Sequence, residues 1–519
     1  MNSLRSFLHL RTVATSVSAA AGLFVPAAGV LAQESVSGLA SNLAMTITPR
    51  IAITETLTDN VRLSSVDRQS EQTTEISPGI RIIVNGARLK GYFDYSLTEV
   101  LYAKNSSPRR TLNSLNSFGT LEAIQNWAFV DFSGMISRQA ISAFGNPLID
   151  NTSINTNQAE VATYRLSPYI RGRIGDLVSY EARYSRTITR TDAVAGSGVT
   201  TTDAVGRISG DSAFRNLGWR VDASQQSVDY TIGRPTKSDR LSLGLSYTVT
   251  PQLNIFVNAG REANNYASLE NQSYGTRGFG LRWSLSERTS LSASRDYRFF
   301  GEGHNVSFAH RTARTAWRFS DIRGISTTPT QTGITNQGLN YDILYSQFAS
   351  IEPDPILRAQ LVNAFLQTNG LNPNAIATRG FLPSAVTLER RQDLLFALLG
   401  VRDTITFIAT RNESRRLDTL STGVDDLSTS SLVRQRGLSV NYSHRLTPDY
   451  SLGVLASQQN TAGSSALQNT TLRLVNVSLT GRVGKKSFAS VGARHANAST
   501  GGIGSYVENA VFANLTVQF

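Results

Sequence analysis

The chain has 519 residues, a formal net charge of +12, 17% charged side chains and no cysteine. The charged fraction lies below the roughly 25% of soluble globular proteins. Without a thiol, the chain cannot form disulfides, a cysteine-ligated zinc site or a cysteine nucleophile. Only five histidines are present, so we expect no metal site and no bound cofactor.

Residues 1–32 have the pattern of a cleaved signal peptide. Arg5 and Arg11 make the start basic, an apolar stretch rich in small residues follows, and Val30 and Ala32 occupy the positions that signal peptidase reads. We therefore expect export and removal of 1–32, leaving 33–44 as a short periplasmic segment. A retained membrane anchor is the alternative.

No later segment has the length of a membrane-spanning helix. The longest apolar run after residue 33 is 394–400, whereas a bilayer helix needs roughly 20 residues. The only other structure that satisfies its backbone within lipid is a closed β-barrel. A membrane location would therefore require spanning strands.

The remaining chain alternates between apolar and polar residues, which is the period of a strand. In Arg240–Val249, leucine, tyrosine and valine side chains occupy every second position, and polar or small residues occupy the others. The same alternation recurs in further segments: 76–84, 128–136, 162–174, 253–259, 280–285, 437–442 and 473–481. The chain therefore reads as a series of antiparallel strands.

The connections between these segments alternate between short and long. Short turns are predicted at 85–86, 125–126, 175–176, 250–252, 447–449 and 484–485. Longer polar loops are predicted at 58–73, 139–158, 191–203, 262–275, 325–385, 412–432, 458–469 and 496–504. Tight turns at one end and long loops at the other are typical of outer-membrane barrels. We predict an all-β, single-chain antiparallel transmembrane β-barrel over 45–519, with about 22 strands and a range of 18–24.

The final strand carries a further feature of such barrels. Val511, Leu515, Val517 and the terminal Phe519 share one face of it. An apolar alternation that ends in phenylalanine resembles the signal by which bacterial outer-membrane barrels are recognised for assembly. An ordinary edge strand is the alternative. The prediction is a Gram-negative outer-membrane protein with the barrel assembly machinery, outer-membrane lipid and lipopolysaccharide as partners.

The polar faces of the predicted strands carry charges that should line the lumen. Two interpretations remain open: a conduit that favours anions, or charges that pair across the lumen and brace the wall. The dispersal of the basic residues argues against nucleic-acid binding. The candidate lumen residues are Lys90, Asp94, Asp131, Arg165, Arg171, Arg173, Glu181, Arg183, Arg240, Arg282, Asp296, Arg298 and Glu508.

The loop 325–385 breaks the strand period and contains one predicted helix. Asp354 can cap it, Pro355 can occupy its first position, and Leu357, Leu361 and Phe365 form an apolar stripe. The stripe can pack within its own loop, constrict the barrel or bind a partner. No histidine has a spacing that ties it to a nucleophile, so we do not expect an enzyme.

Several stretches, in order and spacing, resemble one known family. These are 47–65, 76–107, 136–145, 217–230, 286–301 and 348–371. Over about 45–519 the chain resembles the PEP-CTERM system-associated outer-membrane protein family of exopolysaccharide-producing Gram-negative bacteria. The resemblance implies an outer-membrane location and exopolysaccharide or export-system proteins as partners.

On this basis we expect a conduit or scaffold in exopolysaccharide secretion and the PEP-CTERM sorting system. The alternatives are a diffusion porin for small anionic solutes and a closed structural or surface protein. A TonB-dependent transporter has a plug domain before its first strand. The strands here begin near residue 45, so the sequence argues against that class.

Overall fold

The computed structural model describes residues 43–193, 198–211, 214, 216–327, 381–417, 420, 425–502 and 504–519. The chain divides into two units, Met1–Asn42 and Leu43–Phe519. The predicted signal peptide and nearly all of the segment 33–44 lie outside the described residues. The predicted loop helix, with Asp354, Pro355, Leu357, Leu361 and Phe365, also lies outside them.

The second unit is a single antiparallel sheet of 22 strands. The predicted number is therefore confirmed, and the first strand begins two residues before the predicted start of the barrel. In chain order the strands are β1 Leu43–Thr58, β2 Glu71–Gly86, β3 Leu89–Tyr102, β4 Arg110–Ile124, β5 Ala128–Gln139, β6 Ala159–Ile174, β7 Val178–Thr191, β8 Val199–Asp211, β9 Leu217–Tyr230, β10 Thr236–Thr250, β11 Leu253–Asn264, β12 Gln272–Ser286, β13 Thr289–Arg298, β14 Gly301–Arg311, β15 Thr315–Ser326, β16 Thr387–Leu399, β17 Asp403–Arg416, β18 Val433–Arg445, β19 Tyr450–Ala462, β20 Thr470–Gly484, β21 Ser487–Thr500 and β22 Gly504–Gln518.

The sheet closes on itself because its first and last strands pair. Strand β1 pairs antiparallel with both β2 and β22, and residues 50–58 align with residues 510–518. Beyond the last strand, the amide of Phe519 donates to the carbonyl of Pro49 at 2.9 Å. Closure leaves no unpaired sheet edge, which is the condition for placing strands in lipid.

The two faces of the wall differ in the way that the alternation predicts. On β10, Leu241, Leu243 and Leu245 are 56%, 53% and 44% exposed. Arg240 lies on the opposite face of the same strand. Exposed apolar side chains recur at matching register positions on neighbouring strands. This face is the outer, lipid-facing one, and the polar face lines the interior.

The short connections lie at one end of the barrel, the turn end, and the longer ones at the other, the loop end. The predicted turns at 125–126 and 175–176 are present, with Asn126 and Gly175 at φ 56° and 58°, a region that favours Gly and Asn. The predicted turn at 85–86 was wrong by two residues, since β2 continues to Gly86. Loop-end connections at 103–109, 231–235 and 299–300 were not predicted. They are short, so length alone does not reveal them.

Helix is rare in the described part of the chain. A four-residue helix, α1 (Asp426–Thr429), is capped by Asp425, whose side chain accepts from the Ser428 amide. A short 3₁₀ helix, η1, covers Ala466–Gln468. Among the described residues, no helix is sufficiently long and apolar to cross a membrane.

A substitution of the terminal residue Phe519 distinguishes folding of the barrel from its assembly in the cell. In Phe519→Ala the backbone bond to Pro49 can still form, so we expect the purified variant to refold and to give a heat-modifiable band on a gel. If the terminal aromatic side chain is read during assembly, the same variant should reach the outer membrane at a strongly reduced level. Gln518→Ala is the matched control. Equal outer-membrane levels for both variants would contradict the assembly signal.

Candidate functional site: a loop held inside the barrel

The thirteen charged residues predicted for the lumen lie on the face opposite the exposed apolar side chains. They are Lys90, Asp94, Asp131, Arg165, Arg171, Arg173, Glu181, Arg183, Arg240, Arg282, Asp296, Arg298 and Glu508. They do not form one cluster, because the wall distributes them around the interior. Several carry partners that the sequence pattern did not reveal.

One interior ion cluster joins the first three strands near the middle of the wall. Arg50 and Arg81 reach Asp94 at 2.5 Å and 2.9 Å. The Tyr92 hydroxyl donates to the same carboxylate at 3.0 Å. The two arginines outnumber the carboxylate, so this cluster retains a positive charge.

Two further clusters follow around the wall. Arg183 reaches Asp131 at 2.7 Å and Glu181 at 3.2 Å, and its guanidinium lies over the Tyr169 ring. Arg298 reaches the fully buried Glu262 at 2.6 Å. These pairs support bracing of the wall. Within the described part of the chain, no carboxylate lies within ion-pair distance of Lys90, Arg165, Arg171, Arg173, Arg240 or Arg282.

The connection between β5 and β6, residues 140–158, lies inside the barrel, and we call it the inner loop. Its Ile149 packs in a buried cluster with Leu472 on β20 and Tyr506 on β22. Its Ile154 packs against a second buried cluster that includes Val61 and Val100. Leu472, Tyr506 and Val100 are on the inner face of the wall, so the loop crosses the interior at the loop end.

A buried ion network holds the tip of the inner loop to the wall. Arg494 on β21 donates to Asp150 of the loop at 2.5 Å and to Glu508 on β22 at 2.7 Å. The Thr58 hydroxyl on β1 donates to Glu508 at 2.9 Å. The Arg494 and Glu508 side chains are 9% and 2% exposed. One arginine thus joins two carboxylates from different elements.

The loop itself also organises the Asp150 carboxylate. It accepts from the Ser153 amide at 2.8 Å and from the Thr152 hydroxyl at 2.9 Å. Burial raises the pKa of Asp150, but the charge of Arg494 and these hydrogen bonds outweigh it, so the pKa lies below its usual value. Asp150 is therefore ionised at neutral pH.

A second attachment holds the start of the inner loop. Asp426 in α1 accepts from the Ser142 hydroxyl at 2.6 Å and from the Ala143 amide at 2.5 Å. Burial raises the pKa of Asp426 above its usual value, and these two hydrogen bonds only partly oppose the shift. The two attachments of the loop therefore depend on pH in opposite directions.

Residues 381–386, which precede β16, also contact the inner loop at the loop end. Phe381 is fully buried with Ala143 of the loop, Leu427 of α1 and Val433 of β18. The Ser384 amide and hydroxyl both donate to Asp425 at 2.7 Å. The inner loop, residues 381–386 and α1 thus form a continuous packed layer across part of the opening.

Sequence patterns did not identify Asp150, Arg494 or Asp426. Asp150 and Asp426 lie in loops, where no period marks an orientation. Arg494 lies on β21, whose inner face otherwise carries small residues such as Gly492 and Ala496, so the apolar–polar contrast is weak. The one available signal was the length of the predicted loop 139–158.

Two histidines on the wall lie beside carboxylates. His304 lies 2.9 Å from Asp321, and His444 lies 2.8 Å from Asp403. Both pairs are on the outer face of the wall. No group of three or more potential metal ligands occurs among residues that the structure describes.

No family model and no curated protein matches the chain. Solved structures of similar architecture include the FrpB iron transporter of Neisseria meningitidis, at 9% identity and TM-score 0.49, covering 91% of this chain and 81% of the transporter. The siderophore receptor PirA of Acinetobacter baumannii is 8% identical, with TM-score 0.47 and coverages of 91% and 80%. The Pseudomonas aeruginosa ferric enterobactin receptor PfeA, with enterobactin bound, is 10% identical, with TM-score 0.46 and coverages of 91% and 81%.

These likenesses concern the fold, that of an outer-membrane β-barrel. The expected function was wrong: the matched proteins are receptors and transporters for iron complexes. None is a conduit or scaffold for exopolysaccharide, a diffusion porin or a closed structural protein. The resemblance to the PEP-CTERM-associated family stays a prediction.

Loss of Arg494 tests the ion network at the loop tip. In Arg494→Gln the buried Glu508 carboxylate loses its charged partner, which should cost about 3–5 kcal/mol of unfolding free energy. The measurement is denaturant unfolding of the refolded barrel. Arg173→Gln, on the inner face at the turn end, is the control and should change stability by less than about 0.5 kcal/mol. Equal midpoints for the two variants would contradict the network.

The opposite pKa shifts predict opposite pH responses at the two attachments. The Asp150 contribution is complete above its unfolded pKa of about 3.9 and is lost only as pH falls through its lower folded pKa. The Asp426 contribution is complete below about 3.9 and is lost as pH rises through its higher folded pKa.

Hydrogen exchange between pH 4 and 8, corrected for intrinsic rates, distinguishes these responses. Protection of the Ala143 amide should fall as pH rises, while the Ile154 amide, which donates to Val61, stays protected. Asp426→Asn should remove the pH dependence at Ala143. Parallel changes at both amides would contradict the assignment.

Proposed function

We propose that the chain is a gated outer-membrane transporter in which the inner loop controls passage through the barrel. The observation that carries this proposal is the position of the loop inside the wall. It is attached near its first residues to α1 and at its tip to β21. A loop that only connected β5 to β6 would have no need to cross the interior.

The nature of the attachments supports a gate over a permanent plug. Buried apolar contacts and a few charged hydrogen bonds hold the loop, and no covalent link does so, because the chain has no cysteine. A charged ligand that competes for Arg494 or displaces Asp150 would bind the released state better. Only such differential binding can shift the loop between two positions.

The charge of the lumen favours an anionic cargo. Six basic residues on the inner face lack an ion-pair partner within the described segments: Lys90, Arg165, Arg171, Arg173, Arg240 and Arg282. Fixed cations on a low-dielectric wall raise the local concentration of anions. Ferric siderophore complexes are the first cargo to test, since PirA is named a siderophore receptor and PfeA a ferric enterobactin receptor.

Export by the cleaved segment 1–32 and assembly through the C-terminal strand are part of the same proposal. N-terminal sequencing of the protein recovered from outer membranes tests the first. A mature N-terminus at Gln33 is expected. Retention of Arg5 and Arg11 would support the membrane anchor instead.

Conductance tests the gate without knowledge of the cargo. In planar bilayers the refolded chain should give small or rare current steps. Asp150→Ala combined with Asp426→Ala removes both attachments and should give larger steps, because the loop can leave the lumen. Asp176→Ala, in the exposed turn between β6 and β7, is the control, because it removes a carboxylate that is remote from the loop. Identical conductance in all three proteins would contradict a gate.

A reversible disulfide between the inner loop and the wall tests in a second way whether the position of the loop controls conductance. Ile154 donates its amide to the Val61 carbonyl at 2.8 Å, which brings the two residues close enough for an engineered disulfide. Oxidised Val61→Cys/Ile154→Cys, in the background lacking both attachments, should return conductance to the low level, and reduction should restore it. The control pair Leu479→Cys/Val491→Cys joins two wall strands and should have no effect.

Cargo is tested separately by binding of radiolabelled ferric enterobactin and other ferric siderophores to the refolded protein. Saturable binding that is lost in Arg494→Gln would assign a ferric complex. A functional gate without such binding would retain the transporter and exclude this cargo.

A further inference from the structure

The outer face of the barrel differs between its two ends. All four tryptophans of the chain, Trp127, Trp219, Trp283 and Trp317, lie at the turn end. On the outer face, Trp219 aligns with Leu245, Trp283 with Leu253 and Trp317 with Phe396. Tryptophan belts mark a membrane–water interface. At the turn end the wall therefore meets the membrane surface through aromatic side chains.

Arginines take the corresponding place at the loop end of three neighbouring strands. Arg261 on β11 pairs with Leu241, and Arg277 on β12 pairs with Ala259. Arg295 on β13 pairs with Phe279. Each is therefore on the lipid-facing side, directly beyond the apolar residues of its strand. We call these three residues the basic rim.

The basic rim is a compact group. Arg277 is the diagonal neighbour of Arg261, whose direct partner on β12 is Gly275. Arg295 is likewise the diagonal neighbour of Arg277, whose direct partner on β13 is Tyr297. Diagonal neighbours in a sheet lie roughly 7–8 Å apart. Three cations thus span three strands, which suits a headgroup with more than one anionic group.

Two of the three cations lack a carboxylate partner. Arg295 pairs with Glu302 across to β14. Arg277 lies over the Tyr297 ring at 5.3 Å. In the described ranges no carboxylate lies within ion-pair distance of Arg261 or Arg277. The rim therefore carries a net positive charge next to lipid.

Apolar grooves on the outer face lead to this rim. One, of about 700 Å³, has a floor that includes Val257, Phe279 and Ala293, and it ends at Arg295 and His304. Another, of about 1000 Å³, includes Ala204, Ala223 and Leu241 and reaches Arg261. Small residues among larger ones create the depressions. Each groove thus combines an acyl-sized apolar floor with a cation at its loop end, and the larger groove also includes the Asp239 carboxylate, which accepts from the Gln225 side-chain amide at 3.0 Å.

We propose that the basic rim and these two grooves bind lipopolysaccharide from the outer leaflet, with its phosphates on the arginines and its acyl chains in the grooves. The arginine guanidinium forms paired, charge-assisted hydrogen bonds to phosphate. A lipid with several acyl chains and two phosphates matches two adjacent grooves under three cations.

The test compares two triple variants in the refolded full-length barrel. Arg261→Gln/Arg277→Gln/Arg295→Gln neutralises the rim. Arg165→Gln/Arg171→Gln/Arg282→Gln removes the same charge from the inner face. Binding of purified rough lipopolysaccharide in detergent is measured by native mass spectrometry, together with an enzymatically dephosphorylated sample and phosphatidylglycerol. A heat-modifiable band verifies folding of each variant.

The rim variant should lose at least about tenfold in affinity for lipopolysaccharide, because charge-assisted contacts to phosphate are removed. The inner-face variant should bind as the intact protein does. Dephosphorylated lipopolysaccharide and phosphatidylglycerol should both bind the intact protein more weakly. If the rim variant does not fold, Arg277→Gln alone and Arg→Lys at all three positions replace it. The lysine variant keeps the three charges without the paired hydrogen bonds, so it should lose affinity, but by less than about tenfold.

Three outcomes would overturn the proposal. Unchanged affinity in the rim variant would place the phosphates elsewhere. Equal losses in the rim and inner-face variants would indicate a non-specific charge effect. Equal binding of intact and dephosphorylated lipopolysaccharide would remove phosphate recognition.

Discussion

Every feature of this barrel depends on the need to satisfy its backbone hydrogen bonds within lipid. The pairing of β1 with β22 removes the last sheet edge and makes a closed wall possible. Closure then separates two environments with opposite demands. Apolar side chains cover the outside, and the inside holds charges that would be costly in lipid. The inner loop exists in the space that this separation creates.

Within that space, charge is arranged in small groups of arginine and carboxylate. The groups at Asp94, Arg183 and Glu262 lie within the wall and brace neighbouring strands. The group around Arg494 differs because Asp150 belongs to the inner loop, which connects β5 to β6 and is not part of the wall. That single difference makes the Arg494 group a point where wall and loop can separate.

The sequence predicted the wall well, because one physical rule acts at every second residue along Arg240–Val249 and its equivalents. It also predicted that residues such as Arg183 and Arg298 face away from lipid. It could not predict their partners, because pairing depends on register between strands. The roles of Asp150 and Asp426 could not be predicted for another reason. Loop residues follow no period, and their contacts join segments that are hundreds of positions apart. The predicted function rested on family resemblance and was wrong, while the resemblance itself stays a prediction.

The most direct test of the account is the position of the inner loop in solution. Spin labels at Asn151→Cys and Lys486→Cys would be the only thiol-linked groups in the chain. We expect one narrow distance distribution in the intact barrel, and a broad, longer one when Asp150 and Asp426 are both replaced by alanine. Broad distributions in both proteins, or the same narrow distribution in both, would contradict a loop held inside the barrel by these two attachments.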